Sequence, residues 1–217
     1  MTVMQIVQQL FGSMGITMEI FFVTLITSLI LGLGLALIRM SKNPILSVIA
    51  KFYISVMRGT PLMLQLLVVY FGPFFIFGMQ ITPSYRLKAV LIGFALNYAA
   101  YFAEIYRSGI AAIPVGQYEA ARMLGYSKTQ TFAYIVMPQV IKRIIPPVAN
   151  ETITLVKDTA LAYVIALAEL MHAAKAVVSR DVTPLAYVVA GAIYLVLVFL
   201  MTLVFKKLEE RYKLQEK

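Results

Sequence analysis

The 217-residue chain contains no cysteine and a single histidine, His172. Without cysteine there is no disulfide framework, no thiolate nucleophile and no thiolate metal ligand. One histidine leaves too few ligands for the usual zinc sets, so no metal site is expected. Neither His-Glu-x-x-His nor Gly-x-Ser-x-Gly occurs, and no paired aspartates sit on adjacent apolar segments in a catalytic setting, so no catalytic residues are assigned. No Lys or Arg precedes Arg39, so the basic start of a secretory signal is missing and the first apolar run is expected to persist as a helix. Repeats, low-complexity tracts and long linkers are also missing, which predicts one membrane domain over residues 1–217.

What is present is apolar. Hydrophobic residues make up 61% of the chain and the mean hydropathy is +0.84. Several runs approach the roughly 20 residues that cross a bilayer as a helix. The chain is therefore expected to be an all-α integral membrane protein with five transmembrane helices, at about residues 15–38, 60–79, 87–107, 146–170 and 184–205. Its excess of basic residues is sorted by these spans. Of 19 Lys and Arg, 14 fall in segments 39–58 and 107–143 and in the tail, four fall on the other side, and Lys157 lies within a span. Basic residues accumulate on the cytoplasmic side, which predicts an outer N-terminus and a cytoplasmic C-terminus. The +9 charge then marks topology and needs no nucleic-acid partner. The tail pairs Lys206 with Glu210 and Glu209 with Lys213 at helical spacing, extending the last helix. The aromatic cluster from Tyr70 to Phe77 reads as an interfacial belt.

The predicted cytoplasmic segment 114–140 is unusually structured for a loop. Pro114 and Gly116 end the third span. A short helix is expected from about Gln117 to Leu124, with Tyr118, Ala121 and Leu124 on one face and Glu119 able to pair with Arg122. Gly125 sits where positive φ would end that helix. Ser127 and Gln130 form a capping-box pattern. A second helix would run to about Val136, with Pro138 discouraging its continuation. Two capped helices at an angle make a compact knob, and Ala120 and Ala121 permit close approach. An interfacial hairpin packed under its own helices would show the same amphipathicity.

Charged residues within spans mark functional candidates, because each is costly there, about 2.5–3.5 kcal/mol near the centre on insertion scales. On the fourth span Glu151, Thr154 and Asp158 recur at i, i+3 and i+7 and share a face. The two carboxylates' backbones would stand about 10.5 Å apart, comparable with an extended long amino acid. Asn97, Tyr101 and Glu104 share a face of the third span. Together they would line one polar cavity. Lys157 is expected to pair with Glu104 or with an acid on a neighbouring helix, leaving acid to spare for a cationic ligand. Glu19, Glu169 and His172 are expected at span ends, solvated at headgroup level. Arg58-Gly59-Thr60-Pro61 reads as a helix start, Thr60 capping and Pro61 in the first turn.

The spacing Glu119-Ala120-Ala121, Gly125, Ile135, Pro138 resembles the EAA loop of ABC importer permeases, with Met137 where the family carries Leu. The Arg58–Pro61 stretch with Gln65 resembles polar amino-acid permeases, as does Leu155-Val156-Lys157-Asp158-Thr159-Ala160-Leu161, with Ala160 in place of Ser. The likeness runs from about Thr17 to Phe205. It implies the ABC importer permease fold, with a coupling-helix loop docked on a separate ATPase subunit, two copies of which would bind ATP and Mg. This chain has no Walker A pattern and no cofactor of its own. It further implies an extracytoplasmic amino-acid-binding protein, a second permease subunit and a site in the cell inner membrane. Acidic residues matching Glu151 and Asp158 go with cationic amino acids in that family. A complete loop and a pocket in one chain favour a homodimer. The competing reading, a proton-coupled carrier or channel that uses the intramembrane acids as a relay, does not need the knob, and inverted repeats are lacking.

Overall fold

Between Met14 and Arg39 the sequence runs 26 residues without a proline, and it forms one helix, α2. Its buried residues, Thr17, Ile20, Phe21, Thr24, Ser28, Gly32 and Ala36, recur every three or four positions and make a single stripe. That stripe lies against α5, Tyr85–Ala111. The approach is close because of Gly32: a Cβ there would lie 2.8 Å from the Phe102 Cβ and 3.1 Å from the Ala99 carbonyl oxygen. Ala100 and Ala103 keep the α5 side equally small, and both are fully buried.

The computed structural model describes residues 2–213, except for the Lys213 side chain, and among them all regular structure is helical. Before α2 comes the short α1, Val3–Gly12, capped by a Thr2–Gln5 capping box. After it come α3, Pro44–Gly59, started by the Asn43 side chain, and α4, Leu62–Phe77, ended by Gly78 at φ 65°. The knob region holds α6, Val115–Met123, and the single turn α7, Lys128–Gln130. A π-helix, Thr131–Val136, leads straight into α8, Met137–Asp158, and a 3₁₀-helix, Thr159–Ile165, follows. The last described elements are α9, Leu170–Asp181, and α10, Leu185–Lys213.

Among the described residues three helices are long and apolar enough to cross a membrane: Met14–Arg39, Tyr85–Ala111 and Leu185–Tyr212. Five are reached when two bent pairs each count once, α3 with α4 at 108° and Lys128–Ile165 with α9 at 53°. The expected segments at 60–79 and 146–170 are thus parts of broken helices, and α1, α3 and α9 were not expected. Hydropathy registers an apolar run and not its direction. Lys51 and Arg58 made α3 look like a polar connection, and α1 has only 10 residues.

One core gathers Phe21, Leu66, Phe94, Tyr98, Phe102 and Leu155 from α2, α4, α5 and α8. A second joins α1, α9 and α10 through Ile6, Leu10, Leu170, Val177 and Ala190. Glu169 caps this second region rather than reaching solvent. Fully buried, it accepts hydrogen bonds from the backbone N–H groups of Met171 and His172, both 2.7 Å, and from the Tyr194 hydroxyl at 3.3 Å. The first-turn amides of α9 and the phenol replace the water that a headgroup position would have supplied. Glu19 is exposed on α2 and His172 is half-buried.

Candidate functional site

The knob begins where α5 stops at Ala111 and Pro114 starts α6. Gly125 has φ 81°, and the Gly125 and Tyr126 amides donate to the carbonyls of Arg122 and Ala121 at 3.0 and 3.1 Å. The Ser127 hydroxyl accepts from the Gln130 amide while the Gln130 side chain accepts from the Ser127 amide, a complete capping box. The second helix does not end at Pro138. It passes through the π-helix into α8, with Pro138 in the α8 first turn. Proline is disruptive inside a helix because it lacks an N–H and crowds the carbonyl four residues back. Widening to the π form shifts that carbonyl, so the helix continues.

Ile113, Val136 and Val140 are buried under the knob, with Tyr118 and Ile144 packed against them. Ala121 faces inward at 1% exposure, whereas Leu124, expected on the same face, is 75% exposed. Leu124 lies beyond α6 as its C-cap, where the helical face no longer holds. Glu119, Ala120, Gly125 and Pro138 are exposed, Ile135 is half-buried, and Arg122 is exposed beside Glu119. Val115, Met123 and Tyr134 are also exposed. The outward surface therefore combines small, apolar and charged groups, the charges of both signs.

A cavity of about 360 Å³ opens among three elements, and Asn97, Tyr101, Glu151, Thr154 and Asp158, five of the six residues expected there, line it. Helix α8 contributes Glu151, Thr154 and Asp158, with Leu161 beyond them. Helix α5 contributes Asn97, Tyr98 and Tyr101, and the joint between α3 and α4 contributes Thr60, Pro61 and Leu62. The volume lies within the usual range of small-molecule sites, about 300–1,000 Å³. No lysine, arginine or histidine lines it. Asp158 accepts a 2.7 Å hydrogen bond from the Tyr98 hydroxyl, and the Thr154 hydroxyl donates to the Asn150 carbonyl at 3.0 Å. Arg58 stays outside the lining, its guanidinium carbon 5.3 Å from the Tyr101 ring centroid.

Several expected contacts are rearranged. Glu104 is not part of the cavity and does not meet Lys157. It forms a two-pronged pair with Arg107, Nε–Oε2 2.9 Å and Nη2–Oε1 2.5 Å, and Lys157 is exposed. Three residues along a helix is a shorter reach than a neighbouring helix, which decides the partner. Thr60 does not cap α4. Its hydroxyl donates to the Val56 carbonyl at 2.8 Å, completing α3, and Pro61 occupies the N-cap. Asn97 lines the cavity but its amide nitrogen is engaged, donating to the Met57 carbonyl at 3.0 Å and to Gln65 Oε1 at 2.9 Å. Thr60, Pro61, Leu62, Tyr98 and Leu161 are lining residues that sequence reasoning missed. Tyr98, one position after Asn97 in an apolar run, offers a signal only through its hydroxyl, which when buried needs a partner.

Residues 28–214 match the model of a family described as "Binding-protein-dependent transport system inner membrane component". The arginine transport system permease protein ArtQ of Bacillus subtilis (strain 168) is 41% identical over 203 residues, covering 92% of this chain and 90% of that protein. The nopaline transport system permease protein NocM of Agrobacterium fabrum is 34% identical over 201 residues, covering 89% and 83%. Among solved structures, a chain of an amino acid ABC transporter crystallised with histidines superposes with a TM-score of 0.88 at 34% identity, covering 97% of this chain and all of that one.

Proposed function

Because the chain belongs to the family of binding-protein-dependent transport system inner membrane components, we propose that it is the permease subunit that carries cationic L-amino acids through an ATP-driven importer. Membership makes it an inner-membrane, multi-pass ABC importer subunit that works with an ATPase and a substrate-binding protein. The cationic substrate rests on one observation: Glu151 and Asp158 open into the same cavity, and no basic residue lines it. Two half-buried carboxylates facing one cavity favour a ligand that brings positive charge. A diamino or guanidino acid brings an α-ammonium and a side-chain cation. The relative named for arginine transport fits that chemistry, while others are named for glutamine and L-cystine transport, so the cation rests on the cavity.

In this reading the knob, with Glu119, Ala120, Ala121, Gly125, Ile135 and Pro138, docks on the ATPase. The continuous π–α8 connection supports a mechanical role, since α8 carries Glu151, Thr154 and Asp158. Movement of the knob on ATP binding is transmitted along one helix to the acidic wall, and the cavity opens alternately to either side. Two permease copies and two ATPase copies form the complex, the permease as a homodimer, with its N-terminus outside and its C-terminus in the cytoplasm.

Uptake of labelled lysine or arginine into vesicles holding the permease and its ATPase, with binding protein and substrate supplied on the outer side, tests this reading. ATP-dependent accumulation that persists when a protonophore collapses the proton gradient is expected. Uptake driven by a proton gradient without ATP would instead establish the carrier reading.

A further inference from the structure

The joint between α3 and α4 turns through 108° within a few residues, and two amide side chains hold it. Gln65 Nε2 lies 2.9 Å from the Met57 carbonyl, 3.1 Å from the Thr60 carbonyl and 2.7 Å from the Thr60 hydroxyl. Asn97, 3% exposed on α5, donates to the same Met57 carbonyl and to Gln65 Oε1. The end of α3 leaves its last carbonyls without helical partners, and these are the acceptors the two amides satisfy. The sharp bend is thereby fastened to α5, the helix that also presents Tyr98 and Tyr101 to the cavity.

We infer that Asn97 and Gln65 are positioning residues that set the length of the cavity, by clamping the Thr60–Leu62 wall at a fixed place relative to the acidic wall of α8. The inference rests on the reading of this cavity as the amino-acid site. Thr60, Pro61 and Leu62 sit on the bend itself and Glu151 and Asp158 on α8, so loosening the bend moves the first wall relative to the second. Asn97 thus touches the cavity, but its amide hydrogens are committed to the joint. Length selection among diamino acids then depends on two residues that carry no charge, while charge selection depends on Glu151 and Asp158.

The test is direct binding of lysine and of its two-carbon-shorter homologue, 2,4-diaminobutyrate, to the purified permease–ATPase complex by calorimetry. Asn97→Ala and Gln65→Ala remove the clamp. Gln65→Glu is nearly isosteric and replaces the donors by acceptors. Each is expected to change the ratio of the two dissociation constants by about tenfold, the size of one lost buried hydrogen bond to an amide. The Asn97→Ala/Gln65→Ala pair is expected to change it no more than the larger single effect, because both act on one joint. Glu151→Gln is expected to weaken both ligands about equally and to leave the ratio unchanged. An unchanged ratio in folded clamp variants, or fully additive single effects, would overturn the positioning role. Wild-type complex that binds neither ligand, or Glu151→Gln that binds both normally, would reject the cavity as the amino-acid site and the positioning role with it.

Discussion

Gly125 carries the plainest conformational requirement in the chain, a φ of 81° at the turn between α6 and α7. A side chain there destabilises the left-handed backbone, by about 1–2 kcal/mol for an ordinary residue and more for a β-branched one. Gly125→Val is expected to leave the membrane helices assembled and to abolish substrate-stimulated ATP hydrolysis, because the knob loses the angle between its helices. Normal assembly with normal stimulated hydrolysis in that variant would remove the knob from the coupling path. Gly125 and the Ser127–Gln130 box were legible in the sequence because their geometry is decided within four residues. So was the Glu151, Thr154, Asp158 face, since helical spacing alone puts those side chains together. The Lys157–Glu104 pairing was not, because Arg107 lies one turn from Glu104 and the choice between two cations is a matter of distance. Tyr98 was hidden among apolar neighbours, and its bond to Asp158 spans 60 positions of sequence.

At the scale of elements, α2 against α5 is the contact on which the cavity wall depends. Gly32→Leu would push against Phe102 and the Ala99 carbonyl, which already lie 2.8 and 3.1 Å from where a Cβ would stand. Overpacking of this kind costs about 1–3 kcal/mol. A lowered melting temperature of the detergent-purified complex is expected, with ligand selectivity retained by the fraction that stays folded. The same substitution at Gly34, which has nothing within 4 Å of its Cβ position, should be close to neutral. A neutral Gly32→Leu would show that the two helices are free to separate. Apolar periodicity located the long helices α2, α5 and α10, since each is a single uninterrupted run. It could not show the bend between α3 and α4, because a 108° change of direction leaves hydropathy unaltered and depends on Gln65 and Asn97 from elsewhere in the chain. Nor could it show that Pro138 would be tolerated, which depends on the π-helix before it.

Taken whole, the molecule presents the knob on one side and α1 at the end of the chain that should lie across the bilayer. The absence of cysteine makes the orientation directly readable. Met4, 67% exposed on α1, and the exposed Lys128 of the knob are suitable sites. In intact cells, Met4→Cys is expected to react with an impermeant thiol reagent and Lys128→Cys only after the membrane is opened. The reverse pattern would place the knob outside and separate it from any cytoplasmic ATPase. The central claim, that the acidic wall reads a cation, is met most directly by Glu151→Gln in vesicles containing the permease, its ATPase and the binding protein. The change keeps size and hydrogen-bonding capacity and removes the charge. Loss of a charge-assisted hydrogen bond is worth about 1.5–3 kcal/mol, so half-maximal stimulation of ATP hydrolysis by lysine or arginine is expected to need roughly tenfold to a hundredfold more substrate, while any neutral amino acid that is accepted changes little. Equal loss for cationic and neutral substrates, or no loss for either, would contradict it.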